Sequence, residues 1–178
     1  RSFSVSIANP NAPNISGSSG TKNGTYGVNL SYTPQSSGGA VKSYSISSGS
    51  LPPGVNLNTT SGVISGSPDD AGTYVVTLQA RNCFNGNLTG QTSSKSITFN
   101  IDKATQSISF SSQSAKTYSP SGTFQLSGPP SASSGQAISY SSLTTSKCLK
   151  PTSGTSVTIQ AAGPCIIRAS QGGSDDYD

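Results

Sequence analysis

The chain has no histidine, no glutamate, no methionine and no tryptophan. Without histidine there can be no Ser-His-Asp triad, no Cys-His pair and no histidine-bound metal centre. Without glutamate, acid-base chemistry falls to the aspartates, Asp69, Asp70, Asp102, Asp175, Asp176 and Asp178. Asp69 and Asp70 are adjacent on a turn, where side chains point apart into water rather than across a cleft as glycoside hydrolysis requires. No catalytic residue is assigned, and the chain is expected not to be an enzyme.

Charge is also scarce. Only 9% of residues are charged, and the ten Lys and Arg are scattered singly from Arg1 to Arg168, with Lys147 and Lys150 the nearest thing to a cluster. A formal net charge of +4 therefore comes with no basic face of the kind that holds nucleic acid, and no nucleic-acid partner is expected. No apolar run approaches the roughly 18 residues that read as a membrane-crossing helix, so direct membrane insertion is not expected. The hydrophobic fraction is low at 30%, but the high net charge of a disordered chain is missing. Nothing in the sequence sustains a helical period.

What is present is glycine, serine, threonine and asparagine around short alternating apolar segments. In Leu51–Ala80, Pro52 and Pro53 fix φ and remove two backbone donors, so the chain must turn, and Gly54 supplies the flexible residue that follows. Val55, Leu57, Val63 and Ile64 flank a second turn at Asn58 to Gly62, and Gly66-Ser67-Pro68 closes the unit. Beyond Asp69-Asp70-Ala71-Gly72, the residues Tyr74, Val76, Leu78 and Ala80 alternate with Val75, Thr77 and Gln79. That period of two predicts a half-buried strand over 73–80.

Leu51, Pro52, Pro53, Gly54, Leu57, Gly62, Ile64, Gly66, Pro68, Ala71, Gly72 and Tyr74 fall where they do in the cadherin-like, dystroglycan-type immunoglobulin repeats of bacterial surface and secreted proteins. The chain closely resembles that family from about Pro13 to Asp102. The resemblance implies a β-sandwich that spaces or binds, usually in tandem arrays. A second segment resembles the bacterial immunoglobulin-like domains, through Ile108, Phe110, Ala162, Gly163, Cys165, Ile167, Ala169, Gln171, Gly173 and Tyr177. That family continues past this tyrosine, which implies that the chain stops inside or just before a final edge.

The predicted architecture is all-β, two tandem immunoglobulin-like β-sandwich domains, consistent with modules of about 100 residues each. Residues 13–102 form the first, with strands predicted at 27–33, 41–47, 54–58, 62–66, 73–81 and 94–101. Residues 103–178 form the second, with strands at 106–111, 122–127, 137–142, 156–160 and 163–170. Residues 1–12 read as the end strand of a preceding repeat, or a leading strand, plus a linker. The basis is that Ser2-Phe3-Ser4-Val5-Ser6-Ile7-Ala8 reads like Ser96-Ile97-Thr98-Phe99-Asn100-Ile101-Asp102.

The related domains often carry a cysteine pair where Cys148 and Cys165 fall, so the resemblance implies a disulfide there, two buried free thiols being the alternative. Cys83 has no partner evident in the sequence: it pairs outside this chain, stays free, or links two chains. A disulfide implies an oxidising compartment. The expected location is extracellular, at a bacterial cell surface or secreted. No cofactor is assigned. Calcium is the one candidate, because cadherin-like modules hold it at domain junctions with oxygen ligands, and Asp69, Asp70 and Asp102 are the carboxylates available. The chain lacks the D-x-N-D-N linker and the glutamates of calcium-binding cadherins, which argues against the site.

The function expected is that of a stalk, spacer or adhesive segment of a bacterial cell-surface adhesin-like protein. Its partners would be neighbouring repeats of the parent chain and a host or cell-surface protein or glycan. The alternative is a carbohydrate-binding or spacer module of a secreted polysaccharide-degrading enzyme, with Tyr26, Tyr32 and Tyr44 as the candidate sugar platform.

Overall fold

The computed structural model describes residues 11–16, 20–82 and 90–178, and among them every regular element is a strand. The chain divides into two compact units, Arg1–Ala104 and Thr105–Asp178.

In the first unit the alternation over 73–80 becomes β8 (Gly72–Arg81). Val76, Leu78 and Ala80 point into the core, while Val75 on the other face is 53% exposed. The backbone of β8 is paired on both edges. One partner is β9 (Thr92–Asp102), antiparallel along its length, with Tyr74 opposite Phe99 and Val76 opposite Ile97. The other is β5 (Ser43–Gly49), whose ladder shifts at a bulge between Ile46 and Ser48. β2 (Thr21–Thr25) joins the far edge of β9 in parallel, giving the four-stranded order β2-β9-β8-β5.

A three-stranded sheet, β3-β7-β6, is built from β3 (Leu30–Tyr32), β6 (Val55–Leu57) and β7 (Ile64–Gly66). A separate pair joins β1 (Pro13–Ser16) to β4 (Gln35–Gly38). Tyr32, Val55 and Ile64 from one sheet, Tyr44, Val76, Leu78, Ile97, Phe99 and Ile101 from the other, and Ile15 from β1 meet in one buried cluster. Phe99 is fully buried and meets Tyr32 edge-on, ring centroids 6.4 Å apart. Its removal from water contributes roughly 1.5–3 kcal/mol.

The turns between these strands explain the motif at Leu51–Pro68. Gly54 sits at φ 78°, and a β-carbon there would lie 2.1 Å from the carbonyl oxygen of Ser67. Only glycine permits this backbone-to-backbone approach of the two turns. Gly62, at φ 76°, lies so close to the Tyr44 ring that a β-carbon would stand 2.8 Å from it. The turn before Gly62 is held by Asn58, whose Oδ1 accepts the amides of Thr60 and Ser61 at 3.0 Å each.

The second unit repeats this pairing scheme with shorter pieces. β10 (Ile108–Ser109) pairs with β12 (Ser131–Ala132), as β1 does with β4. β11 (Thr123–Gln125), β15 (Ser156–Ile159) and β14 (Cys148–Leu149) form the order β11-β15-β14, matching β3-β7-β6. β13 (Ser139–Ser142) pairs antiparallel with β16 (Ile167–Ser170), as β5 does with β8. The counterparts keep the same chain order. Among the described residues, no strand takes the places of β2 and β9. The buried cluster is correspondingly small: Leu126, Cys148 and Val157, with Phe110, Phe124, Tyr140 and Ile167 packed against it.

Of the predicted strands, 73–81 and 94–101 are present and extended, as β8 and β9, and the others are present in shortened or shifted form. β1, β2, β4, β12 and β14 lie outside the predicted segments. Sequences such as Thr-Lys-Asn-Gly-Thr (β2) and Gln-Ser-Ser-Gly (β4) carry no apolar period, and they are strands because a neighbouring ladder accepts their backbone.

Candidate functional site

At one end of the first unit three connections converge. The Gly27 amide donates to the Pro68 carbonyl at 2.8 Å, the Tyr26 amide to the Asp102 carbonyl at 2.9 Å, and the Asp69 amide to the Pro53 carbonyl at 3.0 Å. Tyr26, Asp69 and Asp70 therefore belong to neighbouring turns, and Asp102, the last residue of β9, lies beside them. The structure nevertheless does not assemble Asp69, Asp70 and Asp102 into a ligand set: among the described residues, no group of three His, Cys, Asp or Glu could hold a metal ion. One of these carboxylates has another task. The Tyr74 hydroxyl donates to Asp70 Oδ2 at 3.0 Å, which ties the start of β8 to the turn before it.

The candidate sugar platform is not a surface. Tyr32 and Tyr44 are 5% and 6% exposed and belong to the core, Tyr44 against Gly62 and Tyr32 against Phe99. Tyr26 is half-buried. A sugar-stacking platform needs an open ring face, and two of the three rings are spent on packing. The Tyr32 hydroxyl is buried with no hydrogen-bond partner among the described residues. Burial raises its pKa above the ordinary 10.0, and the neighbouring Tyr44 adds to the shift.

Cys148 and Cys165 are joined by a disulfide, with Cα atoms 5.6 Å apart. The bond ties β14 to the residues entering β16, across a unit whose buried cluster is small. Closing this 17-residue separation stabilises by about 3 kcal/mol in the chain-entropy account. Cys83 lies outside the described residues.

Two features have no signal in the sequence pattern. Asn82, at the end of β8, is 1% exposed, and its Nδ2 donates to the Asn11 carbonyl at 2.8 Å, a link between residues 71 apart. The other is a cleft in the second unit. Two adjoining cavities of about 370 and 330 Å³ share Gln113, Phe124 and Cys165 as lining. Their apolar walls include Phe110, Leu126, Ile159 and Ile167, and the residues flanking them, Tyr118 and Ile166, are 47% and 49% exposed. Lys116 and Lys147 also line the larger cavity.

The fold and the end-loop geometry define the class: an immunoglobulin-like β-sandwich, in which facing sheets share a core and glycine-proline turns close the ends. The chain belongs to the family described as "Putative Ig domain", which it matches over residues 9–119, more than half of its length. No curated protein matches the chain. Among solved structures it is similar to protocadherin gammaB7 extracellular domains 3–6, at 15% identity and a TM-score of 0.47, covering 91% of this chain and 48% of that one. It is also similar to Drosophila N-cadherin domains 1–4, at 12% identity and a TM-score of 0.41 over 86% of this chain and 42% of that one. A putative alpha-galactosidase from Bacteroides fragilis matches at 23% identity and a TM-score of 0.43, over 56% of this chain and 19% of that one. The chain thus spans less than half the length of each of these proteins.

Proposed function

We propose that the chain is a non-catalytic spacer or adhesive segment of an exported bacterial surface protein, working by reach and surface rather than by chemistry. The observation that carries this reading is the repetition of one pairing scheme in two successive units, β1-β4, β3-β7-β6 and β5-β8 followed by β10-β12, β11-β15-β14 and β13-β16. Repetition of a sandwich in tandem lengthens a chain at little cost in charge or chemistry. The disulfide supports an oxidising, extracellular setting, because such bonds do not persist in a reducing cytosol. The side-chain repertoire agrees, with no histidine or glutamate from which to build a general acid or base.

The test is binding of the purified chain to immobilised glycans and to cell surfaces, alongside a panel of glycoside substrates. The spacer reading expects no turnover on any substrate. Specific glycan binding that disappears in Tyr26→Ala would replace it with a carbohydrate-binding module, and turnover lost in Asp69→Asn/Asp70→Asn would overturn it altogether.

A further inference from the structure

Among the described asparagines, Asn23 is the one followed by glycine, while the rest precede residues with a side chain, such as Ile15, Leu30 and Ile101. The second unit contains no asparagine. Asn23 lies in β2 and is exposed. The next position faces inward: a β-carbon at Gly24 would stand 3.0 Å from Ile101 Cδ1 and 3.0 Å from Leu30 Cδ2. Packing therefore favours glycine at 24, and the missing side chain leaves the Asn23 carboxamide unobstructed beside the next backbone nitrogen. That nitrogen has another engagement. The Tyr26 amide donates to the Asp102 carbonyl at 2.9 Å, and successive amides of a strand face alternate edges, so the Gly24 amide, two residues earlier, also faces β9. Among the described residues β2 stands at the end of the order β2-β9-β8-β5, and edge strands are among the first elements to open.

We propose that Asn23-Gly24 is a self-modifying site: it stays silent while β2 is paired with β9, deamidates when β2 opens, and then keeps β2 from pairing again. With the ladder open, the Gly24 nitrogen gives its proton to a solvent base and attacks Asn23 Cγ. The N–Cγ bond forms as the Cγ–Nδ2 bond breaks, Nδ2 takes up a proton and leaves as ammonia, and residues 23 and 24 share a five-membered succinimide. Water then opens the ring at either carbonyl, leaving aspartate or isoaspartate at position 23. The balance is one water consumed and one ammonia released, with no change of oxidation state. In the paired strand the same N–H is held by β9, so the nucleophile is withheld. Isoaspartate routes the main chain through the former side chain and adds one methylene to β2. Thr25 then falls out of register with Asp102, and the Tyr26 amide loses its acceptor. This chemistry is independent of the spacer reading, because it needs no ligand, partner or parent chain.

The test incubates the intact chain and a peptide of residues 20–27 in the same mildly alkaline buffer. Mass spectrometry with peptide mapping follows both and separates Asn23 from the Asn85-Gly86 pair. Conversion at Asn23 is expected to be at least about tenfold slower in the intact chain than in the peptide, since the rate scales with the fraction of molecules in which β2 is open. Lys22→Pro removes the ladder amide two residues before Gly24 and should bring the rate up towards that of the peptide, while calorimetry still shows the first unit's transition. In the converted chain, hydrogen exchange should find the Tyr26 amide unprotected and the second unit unchanged. Equal rates in chain and peptide overturn the proposal, since the ladder then withholds nothing. So does a folded Lys22→Pro chain in which Asn23 converts no faster, or a converted chain whose Tyr26 amide stays protected.

Discussion

The two units share a pairing scheme and differ in how they are held together. In the first, β9 spans the sheet between β2 and β8 and supplies three side chains to a core drawn from β1 and both sheets. In the second, β13 and β16 stand as a pair, the buried cluster is Leu126, Cys148 and Val157, and a disulfide crosses the unit. The difference teaches that the described part of the second unit rests on a smaller buried cluster crossed by a covalent staple, where the first rests on a long strand shared by two neighbours. A small core gains too little from burial alone, and restricting the unfolded chain makes up the remainder.

The sharpest way to break the first unit is at that strand. Phe99→Ala is expected to cost about 3–5 kcal/mol, because it opens a cavity beneath Tyr32 that the two sheets cannot collapse to fill. Calorimetry should show one transition falling steeply while the other is unchanged. The same truncation at Phe124, which already borders a cleft, should cost the second unit clearly less. The second unit is most vulnerable at its staple. Cys148→Ala/Cys165→Ala, or reduction by a thiol, should lower its stability by about 3 kcal/mol and leave the first unit's transition in place. If both transitions fall together, the units are not independent and the comparison fails.

Smaller effects test the details. Gly54→Ala should cost about 1–3 kcal/mol in the first unit, through a left-handed backbone and a β-carbon pressed against the Ser67 carbonyl. Loss of the corresponding amount in urea titration, with the second unit unaffected, would confirm that the turn acts locally. Tyr32→Phe should be close to neutral at pH 7, since the hydroxyl it removes is buried without a partner among the described residues. Its effect lies at alkaline pH. The native pKa is raised, so the stability present below the unfolded value of 10.0 is lost as pH rises from there through the native pKa, where the unfolded chain releases its proton more readily. The variant should flatten that decline, measured as melting temperature against pH above about 9.

Much of the first unit is legible in the order of its residues, and the reason differs by element. Tyr74, Val76, Leu78 and Ala80 announce β8 by alternation, and Ile97, Phe99 and Ile101 announce β9. Leu51–Pro68 announces its turns because proline and glycine restrict or release the backbone within a few residues. β2, β4 and the two-residue strands β12 and β14 carry no such signal, since their pairing is decided by a neighbour's free edge rather than by their own side chains. Tyr32 and Tyr44 illustrate the same limit for the site. As letters they could be a sugar platform or core. The sheets turn both inward, and Asp69 and Asp70 on their turn and Asp102 at the end of β9 are not part of any metal-holding group among the described residues.

The sequence by itself therefore determined the class of structure: strands from periods of two, turns from glycine and proline, and the exclusion of histidine-based chemistry, all of them local properties of a few consecutive residues. Tertiary structure alone decided which strands share a sheet, that the second unit repeats the first's pairing, and that a cleft opens beside β16. Those are outcomes of pairing between residues far apart in the chain, where backbone hydrogen bonds and buried area accrue only once the partners have met.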